Sequence, residues 1–205
     1  MTTSEPRFRR YAAEVRAQML VEAGLACLAA GGIRAFTVDN ICKAAGASRG
    51  LITHHFGSKD GLLAAVYAAA YQPLLAAIEP SDGSVPELTA LLDHMFSEAN
   101  YSRDSLNVWL AIWGEAATNP AVQAEHRALY GRFRKVVAAS IRAHGEARGL
   151  RLNPEALAAA VIGLVDGLWL EASIDPAGLS PERARAAALL LLEPVLGHLR
   201  QERAA

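Results

Sequence analysis

Two groups of side chains have types and spacings that could do chemistry. The first lies in residues 37–56, TVDNICKAAGASRGLITHHF. Ser48, Arg49, Thr53, His54 and His55 carry hydrogen-bonding groups, while Ile52 and Phe56, four apart, give the same stretch an apolar side. A short helix docked through Ile52 and Phe56 would offer its polar side to a groove of double-stranded DNA. Arg49 has the planar fork that bonds guanine O6 and N7 together. Gly50 permits close backbone approach. Lys59, the open amides at the start of the next helix, and Thr37 suit phosphate oxygens. The same pattern also fits a packing motif with a solvated outer face, on which His54 and His55 are bystanders.

The second group is aromatic and acidic. Trp109 and Trp113 are four apart and share a helix face, and Trp169 follows Asp166 by three on another. Asp166 interrupts the apolar run AAAVIGLV-D-GLWL, where an unpaired buried carboxylate is costly. Aromatic faces around one carboxylate make a site for a quaternary ammonium cation, with Phe96, Tyr101 and Glu115 as further contributors. The alternative is that the tryptophans fill a core or interface and Asp166 bonds a hydroxyl or a backbone amide.

Helical spacing places both groups. Leu20, Ala23, Gly24, Cys27 and Leu28 form one stripe, stopped by Gly31-Gly32. Val38, Ile41, Cys42 and Ala45 form the next, capped by Thr37 and ended by Gly46, whose freedom at positive φ suits a tight turn. Ser48 caps a third helix. Ser58 caps a fourth that runs to about Ile78, with Asp60 in its first turn. EPSDGSVP, residues 79–86, is the clearest loop. Five further helices are expected at about 85–101, 103–117, 119–147, 153–173 and 180–203. Asn119-Pro120, Asn153-Pro154 and Ser180-Pro181 are start signals for the last three. The final two are unusually apolar. Gly163 and Gly167 allow close approach of another helix, and Leu189 to Leu192 form a continuous run, so both helices suit pairing with a second copy. Pro194 and Gly197 should kink the last helix or end it early.

Composition narrows the class. The 205 residues are 52% hydrophobic, 20% charged and 6% aromatic, too apolar for disorder and rich in Ala and Leu over β-branched types. The net charge of -1 hides a split, +3 over residues 1–72 and -4 over residues 73–205, which sets a basic front on an acidic body. Cys27 and Cys42 cannot form a disulfide framework, so a reducing cytoplasm is expected. Residues 1–16 are polar with four arginines and do not resemble a signal peptide, and the run 155–174 carries Glu155, Asp166 and Glu171, a poor membrane span. An enzyme is disfavoured. There is no phosphate-cradling glycine loop, no His pair at i, i+4 and no Cys-X-X-Cys, and the six histidines are scattered. No cofactor and no metal are expected.

Residues 18–63 resemble the DNA-binding domain of the TetR family of bacterial regulators. The resemblance is carried by the Leu20–Leu28 stripe, Gly32, Thr37, Ile41, Ala44-Ala45-Gly46-Ala47-Ser48, Gly50, Ile52, His55-Phe56 and Ser58-Lys59. It implies that Thr37, Ser48, Arg49, Gly50, Leu51, Thr53, His54, His55 and Lys59 face DNA. Thr53-His54 stands where the family often has an aromatic pair, so apolar contact with thymine methyls is reduced. NVWLAIWGEAATNPAV (107–122), LVDGLWLEASI (164–174), THHF (53–56) and GLLAA (61–65) look like the choline-responsive, BetI-type repressors within that family.

The resemblance implies an all-α, nine-helix fold. Residues 1–60 would hold a three-helix helix-turn-helix domain. Residues 61–205 would hold a helical domain for ligand binding and dimerisation, whose last two helices form a four-helix bundle across a two-fold axis. The implied function is a cytoplasmic, homodimeric repressor of a palindromic operator, released by choline or a related cation. A regulator of an efflux or catabolic operon answering to a different small apolar or cationic ligand is the other reading.

Overall fold

The structure is a computed structural model that describes residues 13–199. Residues 1–12, and the part of the expected last helix from 200 to 203, lie outside the described residues. Nine α-helices are found among the described residues, and no strand. They are α1 Ala13–Ala35, α2 Val38–Ala45, α3 Arg49–Phe56, α4 Lys59–Ile78, α5 Leu88–Met95, α6 Arg103–Ala116, α7 Pro120–Arg148, α8 Pro154–Ile174 and α9 Pro181–Leu196. One 3-10 turn, Glu98–Tyr101, sits between α5 and α6.

Capping residues set the starts of most of these helices. Thr37 Oγ1 accepts the Asn40 N–H at 3.2 Å, and Ser58 Oγ accepts that of Gly61 at 3.0 Å. Asn119, Asn153 and Ser180 cap α7, α8 and α9, each followed by proline in the first turn. Ser48 occupies the cap position of α3 but its side chain makes no capping bond.

The front bundle comprises α1, α2, α3 and the start of α4. Leu20, Leu28, Phe36, Ile41, Leu62 and Leu63 close its core. Gly24 lets α1 lie against α4, since a β-carbon there would meet Val66 and Phe36. The glycine stop is present but incomplete: the helix breaks at Gly31 and Gly32 and resumes as far as Ala35.

In the back half α7 is the central helix, packing against α4, α5, α6 and α8, and α9 lies against α8. Two polar joints bind it to the front. Asn107 Nδ2 on α6 donates to the Ala29 carbonyl of α1 at 2.7 Å, and the Tyr67 hydroxyl of α4 shares a hydrogen bond with His126 Nδ1 of α7 at 2.9 Å. By length and composition alone, both α4 and α8 are long and apolar enough to cross a membrane. Each nevertheless puts its large side chains into the protein: Tyr67, Tyr71 and Leu75 from α4, and Val161, Ile162 and Trp169 from α8.

Two expected helices are shorter in the structure. Residues 85–101 form α5 and the separate 3-10 turn, because Asn100 folds back and donates to the His94 carbonyl at 2.8 Å. The last helix stops at Leu196 rather than near 203. Pro194 has no N–H to continue the ladder, and Gly197 turns to φ 76°. The Leu196 carbonyl is met by His144 Nε2 at 2.7 Å.

Candidate functional site

Two places in the molecule collect functional side chains. The first is the outer surface of α2 and α3. Gly46 joins them at φ 59°, ψ 34°, and its N–H turns back to the carbonyls of Cys42 and Lys43. Ile41 and Ala45 from α2 and Ile52 from α3 are buried beneath this turn, so the two short helices are held at a fixed angle. Thr37, Ser48, Arg49, Gly50, Thr53, His54 and Lys59 are all exposed, and Leu51 is half-buried. Arg49 is not isolated: its Nη2 lies 2.5 Å from Asp39 Oδ1 on α2.

His55 differs from its exposed neighbours. It is half-buried, and its Nε2 is sealed from solvent without a hydrogen-bond partner. It follows Leu51 by one helical turn and leans toward the side that Ile52 and Phe56 pack. Only His54 of the pair is open. Phe56 is half-buried against the core.

The second place is a cavity of about 320 Å³ in the back half. Tyr71 of α4, His94 of α5, Asn100 of the 3-10 turn, Trp109 and Trp113 of α6, Tyr130 and Phe133 of α7, and Asp166 and Trp169 of α8 line it. Among the described residues, Asp166 is the sole acidic side chain in that wall. The Tyr130 hydroxyl donates to its Oδ2. Burial pushes the Asp166 carboxyl above the ordinary range, and the Tyr130 bond partly opposes this. Burial raises the Tyr130 phenol as well, with the neighbouring Asp166 charge adding to the effect, so this hydroxyl keeps its proton. His94 is pushed down by burial and contributes no countercharge at neutral pH.

Aromatic rings form the rest of the wall. Trp113 and Trp169 meet edge to face at 5.2 Å, as do Tyr71 and Trp109 at 5.3 Å. The Trp169 indole donates to the Asn100 carbonyl at 2.8 Å, which fixes its ring and ties α8 to the 3-10 turn. Of the residues expected here, Trp109, Trp113, Asp166 and Trp169 come together. Phe96, Tyr101 and Glu115 do not line the cavity. Phe96 lies just past the end of α5, where the chain turns away, and it stacks on Tyr101 at 6.5 Å. Burial pushes the Tyr101 phenol up to about 12. Glu115 is two residues beyond Trp113, roughly 200° around the helix, and so faces elsewhere. Tyr71, Tyr130, Phe133, His94 and Asn100 are among the lining residues that spacing did not single out. The pairs Tyr67/Tyr71 and Tyr130/Phe133 carry the same one-turn aromatic signal as Trp109/Trp113 and could have flagged them.

Comparison with known proteins agrees with both halves. Residues 20–66 match the model of the bacterial regulatory proteins of the tetR family, and residues 86–197 match that of the BetI-type transcriptional repressor C-terminal domain. The chain is 30% identical over 200 residues to the HTH-type transcriptional regulator BetI of Ectopseudomonas mendocina, covering 91% of this chain and 96% of the relative. It is also similar to a solved protein of Pseudomonas aeruginosa PAO1 assigned to transcriptional regulation, with 31% identity, 92% and 93% coverage and a TM-score of 0.78. A protein of Saccharomonospora viridis, likewise assigned and crystallised in complex with choline, shares the fold at 22% identity, with 89% and 97% coverage and a TM-score of 0.70.

Proposed function

The chain belongs to the TetR family of transcriptional repressors and carries a BetI-type C-terminal domain, and from that premise we propose a cytoplasmic, homodimeric repressor that leaves its operator when a quaternary ammonium compound of the choline class fills the cavity. The observation that carries this reading is Asp166. One carboxylate, bonded by Tyr130, stands in a wall of aromatic rings and a neutral histidine. A permanent cation loses its hydration there but gains a countercharge and the negative faces of the rings. The volume suits a small ligand. The choline complex of the Saccharomonospora protein points the same way.

The DNA side rests on the exposed outer surface of α2 and α3. Residues 1–60 would read a palindromic operator. Thr37, Ser48 and Lys59 reach phosphates, while Arg49, Thr53 and His54 reach base edges and Gly50 and Leu51 pass close to the duplex. Residues 61–205 would bind the effector and the second copy. Outward positions of α8 are small (Ala156, Ala160, Gly163 and Gly167), and α9 exposes Leu190 at 75% and Leu191 at 62%. Such a face covered by its own copy gives a two-fold dimer, which presents two α3 helices to successive major grooves about 34–36 Å apart. Effector binding acts by favouring a different spacing of those helices. Its lever is α4, which starts beside α3 at Lys59 and reaches the cavity at Tyr71.

A thermal-shift screen with choline, betaine aldehyde, other amines and planar drugs tests the effector. Choline or betaine aldehyde should raise the Tm of the wild type but not of Asp166→Asn. Stabilisation by planar drugs alone would favour the efflux or catabolic reading instead.

A further inference from the structure

An acidic side chain stands on the surface proposed to meet a polyanion. Asp39 lies in the first turn of α2, two residues after Thr37, and its Oδ1 is 2.5 Å from Nη2 of Arg49, the first residue of α3. Both side chains are open to solvent, Arg49 at 73% and Asp39 at 67%. An ion pair this exposed adds little to folding. A carboxylate at this place also repels phosphates, so it works against general affinity for DNA.

What the pair supplies is aim. An unpaired arginine samples many rotamers on a long stem and pays for ordering when it binds. A carboxylate that holds one edge of the planar fork restricts it, and leaves its other donors for the two acceptors of a guanine. The backbone beneath is fixed by buried Ile41, Ala45 and Ile52, which keeps Asp39 and Arg49 within reach of each other. We infer that Asp39 is a positioning residue for base reading: it orients Arg49 toward guanine, and its charge lowers affinity for duplexes that lack that guanine. The inference rests on the proposal that Arg49 meets a base edge.

The test uses the full-length protein. Wild type first selects duplexes from a randomised pool. One selected duplex and one random duplex of equal length are then titrated, at fixed salt, with wild type, Asp39→Asn, Arg49→Ala and the double variant. Asp39→Asn should bind the random duplex more tightly, and its preference for the selected duplex should fall by about fivefold, the upper end for an exposed pair. In the Arg49→Ala background, Asp39→Asn should lower that preference no further. The inference is overturned if Asp39→Asn keeps the wild-type preference, or lowers it equally with and without Arg49. If Arg49→Ala itself keeps the preference, Arg49 reads no base, and the role of Asp39 falls together with that of Arg49.

Discussion

The front surface and the rear cavity assemble their residues in opposite ways. Every candidate DNA contact falls between Thr37 and Lys59, on α3, the cap positions of α2 and α3, and the start of α4. The cavity instead draws its wall from five helices and a 3-10 turn, between Ala70 and Trp169. At the front, function needs exposure: polar groups on a fixed helix, ready to exchange water for DNA. At the back, the arrangement is one of enclosure: a single partly buried carboxylate set in a wall of aromatic rings. The front is therefore sensitive to what docks α3, and the back to what surrounds Asp166.

The comparison can be broken most severely at Ile52. Ile52→Ala removes the buried anchor of α3 and should cost about 2–5 kcal/mol. Thermal melts should show the loss and duplex titration should fail, while calorimetry with choline should still give binding. Parallel loss of choline binding would mean that the two regions are one cooperative unit. Arg49→Ala should cost roughly 1–3 kcal/mol of operator affinity and relax preference at one base pair, read by selection from a randomised pool.

At the back, the proposed cation would bind the ionised form of Asp166. Burial raises that carboxyl, so choline affinity should start to fall, as pH drops, earlier than for an ordinary aspartate. Tyr130→Phe removes the bond that opposes the rise and should move the fall to higher pH, as measured by calorimetry across a pH series. The same upward shift costs the empty protein stability as pH climbs through the raised value, so Asp166→Asn should have the higher Tm at neutral pH without ligand. The smallest effect is expected at Lys59. Lys59→Ala should weaken all duplexes alike and flatten the salt slope by about one unit. A loss confined to one sequence would give it a base contact.

The front was nearly all legible in the sequence because its determinants are local. Thr37, Gly46 and Ser58 act within a few residues, and the Ile41, Ala45 and Ile52 positions follow from helical period alone. His55 is half-buried beside an exposed His54, a difference the helical period does not show, because side-chain direction near the end of a two-turn helix depends on what packs beside it. In the cavity, Asp166 and the tryptophans stood out as oddities of type, a charge in an apolar run and rare large rings. Tyr130 did not, since its partner is 36 positions away and only packing of α7 on α8 joins them. Phe96 and Tyr101 looked suitable by type, but Asn100 ends the helix and turns them onto each other. Exposure of Leu190 and Leu191 beside buried Leu189 and Leu192 likewise needed the fold, because an all-leucine run hides which side faces in.

Titrating the full-length protein onto its selected duplex, with and without saturating choline, measures the link between the two regions directly. Choline is expected to weaken duplex binding by the wild type on the order of 100-fold, about 3 kcal/mol of coupling. Asp166→Asn should bind the duplex as tightly as wild type does without choline, and ignore choline. Choline that binds the wild type, by calorimetry, yet leaves its duplex affinity unchanged would contradict a cavity that controls the DNA-facing helices.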